Sequence, residues 1–235
     1  MIIYGSKAVI CTNAYGDWHA VISGKARLKM DSEMERARKL LKQAQFSLSV
    51  PEPRLLPADL GREIAFAGRS NAGKSSALNV LCAQRGLART SRTPGRTQHL
   101  VVFDLDSERR LIDLPGFGYA KVAKSMRAHW QEALPEYLET RASLSGLILL
   151  MDIRHPLKPQ DVAVLEWCTH AGVPVHVLLN KCDKLGRGPA TAALHQVRAS
   201  LNKHGWQGSA QLFSALKHEG AEQAWQVLAD WLELE

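Results

Sequence analysis

The sequence predicts an α/β three-layer domain, with a mostly parallel six-stranded sheet flanked by helices. Three observations carry this. From Glu63 onward, short apolar runs alternate with longer stretches of helical periodicity. The first run, Glu63-Ile64-Ala65-Phe66-Ala67, ends in a glycine-rich loop that opens a helix. Helix boundaries carry their own punctuation: Pro159 and Pro189 sit where N1 prolines belong, and Gly205 suits a helix C-terminus.

In chain order, residues 1–30 have mixed polarity, no clear period and interruptions at Gly5, Gly16 and Gly24. They read as a disordered or upstream extension, with Met30 and Met34 as alternative starts. Residues 31–61 read as a helix and a Pro-rich linker. Ser32-Glu33-Met34-Glu35 fits a capping box, and Met34, Ala37, Leu41 and Ala44 share a face of the basic helix that follows to about Gln45. Pro51, Pro53 and Pro57 then favour extended chain. Residues 62–235 form the main domain. Its strand-like runs are 63–67, 100–105, 109–113, 146–151, 174–179 and 209–213. Its helices are about 74–83, 125–141, 159–171, 189–204 and 220–233. In the last of these, Ala221, Ala224, Trp225, Leu228, Trp231 and Leu232 form one stripe, read as core.

Composition narrows the class. With 46% hydrophobic residues the chain can bury a full core, yet no apolar run approaches the ~20 residues that span a membrane. No charged start, apolar run and small-residue cleavage site marks a signal peptide. Cys11, Cys82, Cys168 and Cys182 form no C-x-x-C pair and read as reduced thiols of a cytoplasmic protein. The net charge is +7. Nine Lys or Arg fall between Arg85 and Arg127 against four acids (Asp104, Asp106, Glu108 and Asp113), which favours an anionic partner such as RNA.

Gly68-Arg69-Ser70-Asn71-Ala72-Gly73-Lys74-Ser75 fits G-x-x-x-x-G-K-[ST], the phosphate-binding loop. Its glycines let the backbone turn and approach a phosphate. Successive N–H groups then form an anion nest at the positive end of the next helix. Lys74 would reach the β- and γ-phosphates, and the Ser75 hydroxyl would ligate Mg²⁺. Because α/β sheets bind ligands at the carboxyl ends of their strands, the other strand ends should complete the site.

Asp113-Leu114-Pro115-Gly116 gives D-x-x-G after a strand. Asp113 would hold Mg²⁺ through a water, and the Gly116 N–H would meet the γ-phosphate. Asn180-Lys181-Cys182-Asp183 gives N-K-x-D. The Asp183 carboxylate suits guanine N1–H and its N2 amine, whereas adenine would leave it facing a lone pair. Asn180 would tie this loop to the phosphate loop, and the Lys181 stem would cover a base face. Phe213-Ser214-Ala215 follows the last strand and would let a backbone N–H approach guanine O6. Between Arg85 and His99 lies a polar basic loop in which Thr90, Thr93 and Thr97 all compete to add a hydroxyl to Mg²⁺.

Together these stations resemble a P-loop GTPase (G domain) of the translation-factor class. The wording at 68–76, Thr93-Pro94-Gly95-Arg96-Thr97-Gln98, 113–120 and Asp152-Ile153-Arg154-His155-Pro156 is similar to the bacterial EngB (YihA) family, within the TrmE-Era-EngA-EngB-septin-like class. The resemblance covers about residues 46–235. It implies a GTP-binding switch in late assembly of the large ribosomal subunit, tied to normal septation and cell division. It implies Mg²⁺ ligation by Ser75 and Thr97. It also implies guanine-nucleotide contacts at 68–75, at Gly95, Arg96, Thr97, Gln98 and His99, and at 113–116, 180–183 and 213–215. The partners implied are GTP and GDP, a large-subunit precursor and ribosomal RNA. A monomer is expected, since no heptad or exposed apolar stripe demands a dimer.

Many GTPases place a glutamine after D-x-x-G to orient the attacking water; here that position is Phe117, which predicts slow intrinsic hydrolysis. Lys74, Asn71 and Thr97 are the candidate catalytic residues. Asn71 resembles the asparagine of GTPases that recruit K⁺ beside the β- and γ-phosphates, or it only stabilises the turn. An activating group supplied by the ribosome is another source of catalysis. The alternative function is a GTP-dependent scaffold at the division site in which hydrolysis matters little. His99, His129 and His155 have no carboxylate partner or ligand spacing that supports catalysis.

Overall fold

The computed structural model describes residues 9–12, 18–21, 24–88, 99–117 and 133–234. The strands are β1 (Val9–Thr12), β2 (Trp18–Val21), β3 (Gln45–Val50), β4 (Arg62–Gly68), β5 (Leu100–Asp104), β6 (Arg109–Asp113), β7 (Leu144–Asp152), β8 (Val175–Asn180) and β9 (Gly208–Leu212). The helices are α1 (Gly24–Leu41), α2 (Lys74–Leu81), α3 (helical residues 133–140), α4 (Pro159–His170), α5 (Arg187–His204) and α6 (Ala221–Trp231).

The sheet has seven strands in the order β3-β5-β6-β4-β7-β8-β9. β6, β4, β7, β8 and β9 run parallel, and β5 and β3 add an antiparallel edge. The six expected runs are all present. The seventh strand, β3, corrects the strand count; it falls between the expected helix and the proline-rich segment. Gln45-Phe46-Ser47-Leu48-Ser49-Val50 alternates polar and apolar residues, and its register with β5 shifts between Phe46 and Leu48.

Alternation of buried residues along β4 divides the core into two layers. Ala65 and Ala67 face a cluster with Leu134 and Tyr137 of α3, Val164 and Leu165 of α4, and Val197 and Leu201 of α5. Ile64 and Phe66 face a second cluster with Leu41 of α1, Leu78 and Leu81 of α2, and Leu228 of α6. Because both faces are covered, residues 64–67 of β4 and 147–151 of β7 are continuous apolar runs rather than alternating ones. The α6 stripe is core as expected, and the Trp225 indole additionally donates to the Leu81 carbonyl at 2.9 Å. Cys82, Cys168 and Cys182 are buried free thiols. Among the described residues no helix is long and apolar enough to cross a membrane.

Several boundaries differ from expectation. α1 begins at Gly24, so Ser32 lies inside the helix instead of capping it, and its carbonyl and hydroxyl accept from Arg36. Within residues 1–30, β1 and β2 pair antiparallel. α5 begins at Arg187 behind an extended Gly186, which makes Pro189 the third helical residue rather than the first. Pro159 does open α4, and Gly205 ends α5 in the left-handed conformation at φ 66°. Of the helix expected at 125–141, residues 125–132 lie outside the described residues.

Candidate guanine-nucleotide site

Parallel β4, β6, β7 and β8 end together, and four of the expected stations meet at that edge. The loop between β4 and α2 is the centre. Gly68 is required by packing: a Cβ there would lie 2.9 Å from the Leu150 carbonyl oxygen of β7. The next residues turn through a 2.9 Å bond from the Ala72 N–H to the Arg69 carbonyl. Asn71 sits at the apex with φ 65°, a left-handed conformation that asparagine tolerates. Gly73 has φ 97°, and a Cβ there would strike the Asn180 side chain at 2.1 Å. Thus one glycine serves the sheet and the other serves the second loop.

Lys74 opens α2, and its ammonium donates to Asp113 at the end of β6. Asp113 is 4% exposed. Burial pushes its carboxyl up, and the Lys74 charge opposes that shift. The two groups assigned to phosphate and metal binding therefore face each other across the loop. Ser75, one residue on, is half-buried in the first helical turn. Beyond Asp113, Leu114 turns its side chain into the core while its N–H donates to Phe66 O at 3.0 Å. Pro115 is buried and Gly116 is exposed, the latter packed so closely on Ser70 that a Cβ would sit 3.3 Å from its hydroxyl.

Phe117 bridges to Arg69. The Ser70 N–H donates to Phe117 O at 2.8 Å, and the Phe117 N–H donates to Gly68 O at 3.3 Å. Its ring packs against the core. The position that carries a water-orienting glutamine in other GTPases is here stitched to the phosphate loop by its backbone.

The N-K-x-D loop is tied to the phosphate loop by Asn180, as its residue type predicts. Asn180 donates to Ala72 O at 2.7 Å and accepts from the Ala215 N–H at 3.2 Å, so one amide joins three stations. Lys181 has φ 65°, and its ammonium donates to Asn71 O at 2.6 Å. The Ser214 hydroxyl donates to Asp183 at 2.5 Å, a contact that holds the carboxyl below its ordinary range, with Lys184 assisting. The sequence reading gave residues 213–215 only an approach to guanine O6; a hydroxyl able to reach the Asp183 carboxylate was the further signal. Cys182 and Phe213 are buried. The Cys182 N–H donates to Phe213 O at 3.1 Å, and burial pushes its thiol up to about 11.

The fifth station is only partly visible. Gly95, Arg96, Thr97 and Gln98 lie outside the described residues, as do Thr90 and Thr93. His99 is exposed at the start of β5, where its Nδ1 lies 3.2 Å from the Ser49 hydroxyl of β3. Asp152 was not expected in the site. It ends β7 beside Asn180 in the sheet register and sits 2.9 Å from the Lys181 ammonium.

Comparison with known proteins agrees with this geometry. The family profile described as "50S ribosome-binding GTPase" matches residues 63–181. A protein of Colwellia psychrerythraea described as a probable GTP-binding protein EngB is 53% identical over 195 residues, covering 83% of this chain and 87% of its own length. A protein of the same description from Hydrogenovibrio crunogenus is 48% identical, covering 83% and 92%. Among solved structures, one described as a probable GTP-binding protein engB superposes with a TM-score of 0.59 at 20% identity, over 74% of this chain and all of that one. Era from Aquifex aeolicus gives 0.57 at 24%, over 74% and 57%. These two likenesses concern the fold, whereas the two relatives and the profile concern descent: the chain belongs to the EngB family of GTP-binding proteins, which are P-loop GTPases.

Proposed function

We propose that this GTPase is a slow switch acting in late assembly of the large ribosomal subunit, and that normal septation and cell division depend on it. The observation that carries the reading is the match of residues 63–181 to a ribosome-binding GTPase profile. The concentration of Lys and Arg between Arg85 and Arg127 supports it, although most of those residues lie outside the described ones. The switch would work in the cytoplasm as a monomer, on a G domain running from about residue 62 to the C-terminal residues.

GTP would lie across the loops at 68–75, 95–99, 113–116, 180–183 and 213–215. Mg²⁺ fits the donor set. Among the described residues no group of three His, Cys, Asp or Glu could hold a metal by itself, and a hydroxyl and a buried carboxylate flank the phosphate loop. Mg²⁺ bound through few protein oxygens plus phosphates is the pattern of nucleotide sites. Ser75 and Thr97 would ligate it, and Asp113 would hold it through a water. The ion would neutralise charge on the β- and γ-phosphates.

Slow hydrolysis follows from Phe117, whose apolar ring cannot orient water. Asn71 as a K⁺ ligand remains a reading to be tested. Its left-handed turn conformation gives the residue a structural reason of its own. Equal turnover in equimolar KCl and NaCl removes the K⁺ role.

Sedimentation of cell extract, with and without a non-hydrolysable GTP analogue, tests the switch. Nucleotide-dependent co-migration with large-subunit precursors is the expected result. Pelleting with polymer or membrane instead favours the scaffold. Charge reversal of Arg92 and Lys121 should weaken precursor binding without changing GTP affinity.

A further inference from the structure

We propose that Asp152 is a positioning residue of the nucleotide site, holding the Lys181 ammonium on the phosphate-loop carbonyl of Asn71. The inference rests on the guanine-nucleotide reading of this site and deepens it. It also gives a role to the Asp152-Ile153-Arg154 stretch, which that reading leaves without one.

Asp152 is the last residue of β7 and pairs in register with Asn180 of β8, while the Ile153 N–H donates to Asn180 O at 3.0 Å. The carboxylate is thereby fixed at the root of the N-K-x-D loop. Both of its oxygens are used. Oδ1 accepts from the Arg154 backbone N–H at 3.1 Å and from Arg154 Nε at 2.9 Å. Oδ2 accepts from Arg154 Nη2 at 2.6 Å and from Lys181 Nζ at 2.9 Å. Lys181 Nζ in turn donates to Asn71 O at 2.6 Å.

The result is a relay from Arg154 through Asp152 and Lys181 to the apex of the phosphate loop. It begins at a half-exposed guanidinium and ends at the backbone that would carry phosphate contacts. Burial alone would raise the Asp152 carboxyl; bonds from Arg154 and Lys181 outweigh it and keep it ionised. Lys181 needs such an anchor. Its backbone is left-handed, which is strained for a residue with a long side chain, and an ammonium tethered only to a carbonyl would be free to swing into solvent. Charge-assisted bonds are the stronger kind, and Asp152 supplies the charge.

The relay lies between the base-reading and phosphate loops and does not touch Asp113 or Gly116, the groups assigned to the γ-phosphate end. Its loss should therefore speed release of GDP and of a GTP analogue alike. The experiment is stopped-flow release of a fluorescent GDP from wild type, Asp152→Asn, Lys181→Met and the double variant, with thermal unfolding recorded for each.

Asp152→Asn should release GDP roughly ten-fold faster. In the Lys181→Met background the same change should add less than about two-fold, because the two residues act through one contact. Arg154→Ala should give a smaller effect, roughly three-fold, in the same direction, and serves if Asp152→Asn unfolds. Unchanged release in both Asp152→Asn and Arg154→Ala, or a full Asp152→Asn effect without Lys181, overturns the proposal. Wild-type protein that does not retain fluorescent GDP at all overturns the guanine reading beneath it.

Discussion

Charge is gathered at both ends of the central sheet, and the two gatherings are built differently. At the end away from the nucleotide loops, Glu63 is fully buried and receives Arg141 through bonds of 2.9 and 2.5 Å, with Arg110 at 3.5 Å. Arg141 also donates to Pro57 O at 2.9 Å, and Asp59 accepts the N–H groups of Ala142 and Ser143 at 2.9 and 2.8 Å. The charges of Glu63, Arg141, Arg110 and Asp59 are answered within this cluster. The buried side-chain atoms left without a partner near that end, on Tyr137 and Ser143, are neutral hydroxyls.

At the nucleotide end, the pair beside the phosphate loop is of another kind. Lys74 and Asp113 bind each other, although each is the type of group that phosphate or metal would use. Among the described residues, Arg69 Nε and Asp161 Oδ1 are buried charged-group atoms with no hydrogen-bond partner. One end is closed for stability; the other keeps charge that a ligand can redirect. This is the difference expected between a structural ion cluster and a site whose charges must change partners.

The largest effect that would sharpen this contrast belongs to Asp183→Asn. An amide offers one acceptor where the carboxylate offers two, so GDP affinity should fall by about 10²-fold or more in titration calorimetry, with little change in unfolding temperature. Next in size is the opposite end. Glu63→Gln breaks a buried ion cluster and should cost about 3 kcal/mol in denaturant unfolding, with nucleotide affinity preserved.

A smaller effect has a pH signature. Burial pushes the Asp161 carboxyl up to about 6, only partly offset by the Lys158 backbone N–H and the Arg69 charge. Its folded value exceeds the unfolded one, so wild-type stability drops as pH rises from about 4 to 6. Asp161→Asn, which can still accept the Lys158 N–H, should be more stable than wild type by about 2 kcal/mol at pH 7. The two should converge near pH 4. The smallest expected change is Trp225→Phe, which leaves Leu81 O without its indole donor and should cost about 1 kcal/mol of stability.

Much of this was legible in the chain. Strand–loop–helix context fixed the phosphate loop, because a glycine-rich turn between an apolar run and an amphipathic helix has few other uses. The placing of the N-K-x-D loop against the phosphate loop was legible because the Asn180 amide can both donate and accept there. What was not legible depended on pairing across the sheet. β3 is the exception: Gln45-Phe46-Ser47-Leu48-Ser49-Val50 carries the two-residue alternation of a strand, but it sits between a helical stretch and a proline-rich one. For Gly68, assigned to phosphate approach, the structure adds a second reason for glycine, the contact with Leu150. Asp152 entered the sequence reading only within the Asp152–Pro156 stretch that resembles the family, and only the parallel register with Asn180 brings it to Lys181. Residues 89–98 and 118–132 fall outside the described residues, so Thr97 stands as the resemblance left it.

The contrast between the two ends reduces to one measurement: the shift in unfolding temperature produced by saturating GDP with Mg²⁺ in wild type, Glu63→Gln and Asp183→Asn. A ligand stabilises only the folded state that binds it. Wild type and Glu63→Gln should gain the same increment from different starting temperatures, and Asp183→Asn should gain almost none. An undiminished shift in Asp183→Asn, or a shift abolished by Glu63→Gln, would contradict the division of the sheet into a closed structural end and a nucleotide-binding end.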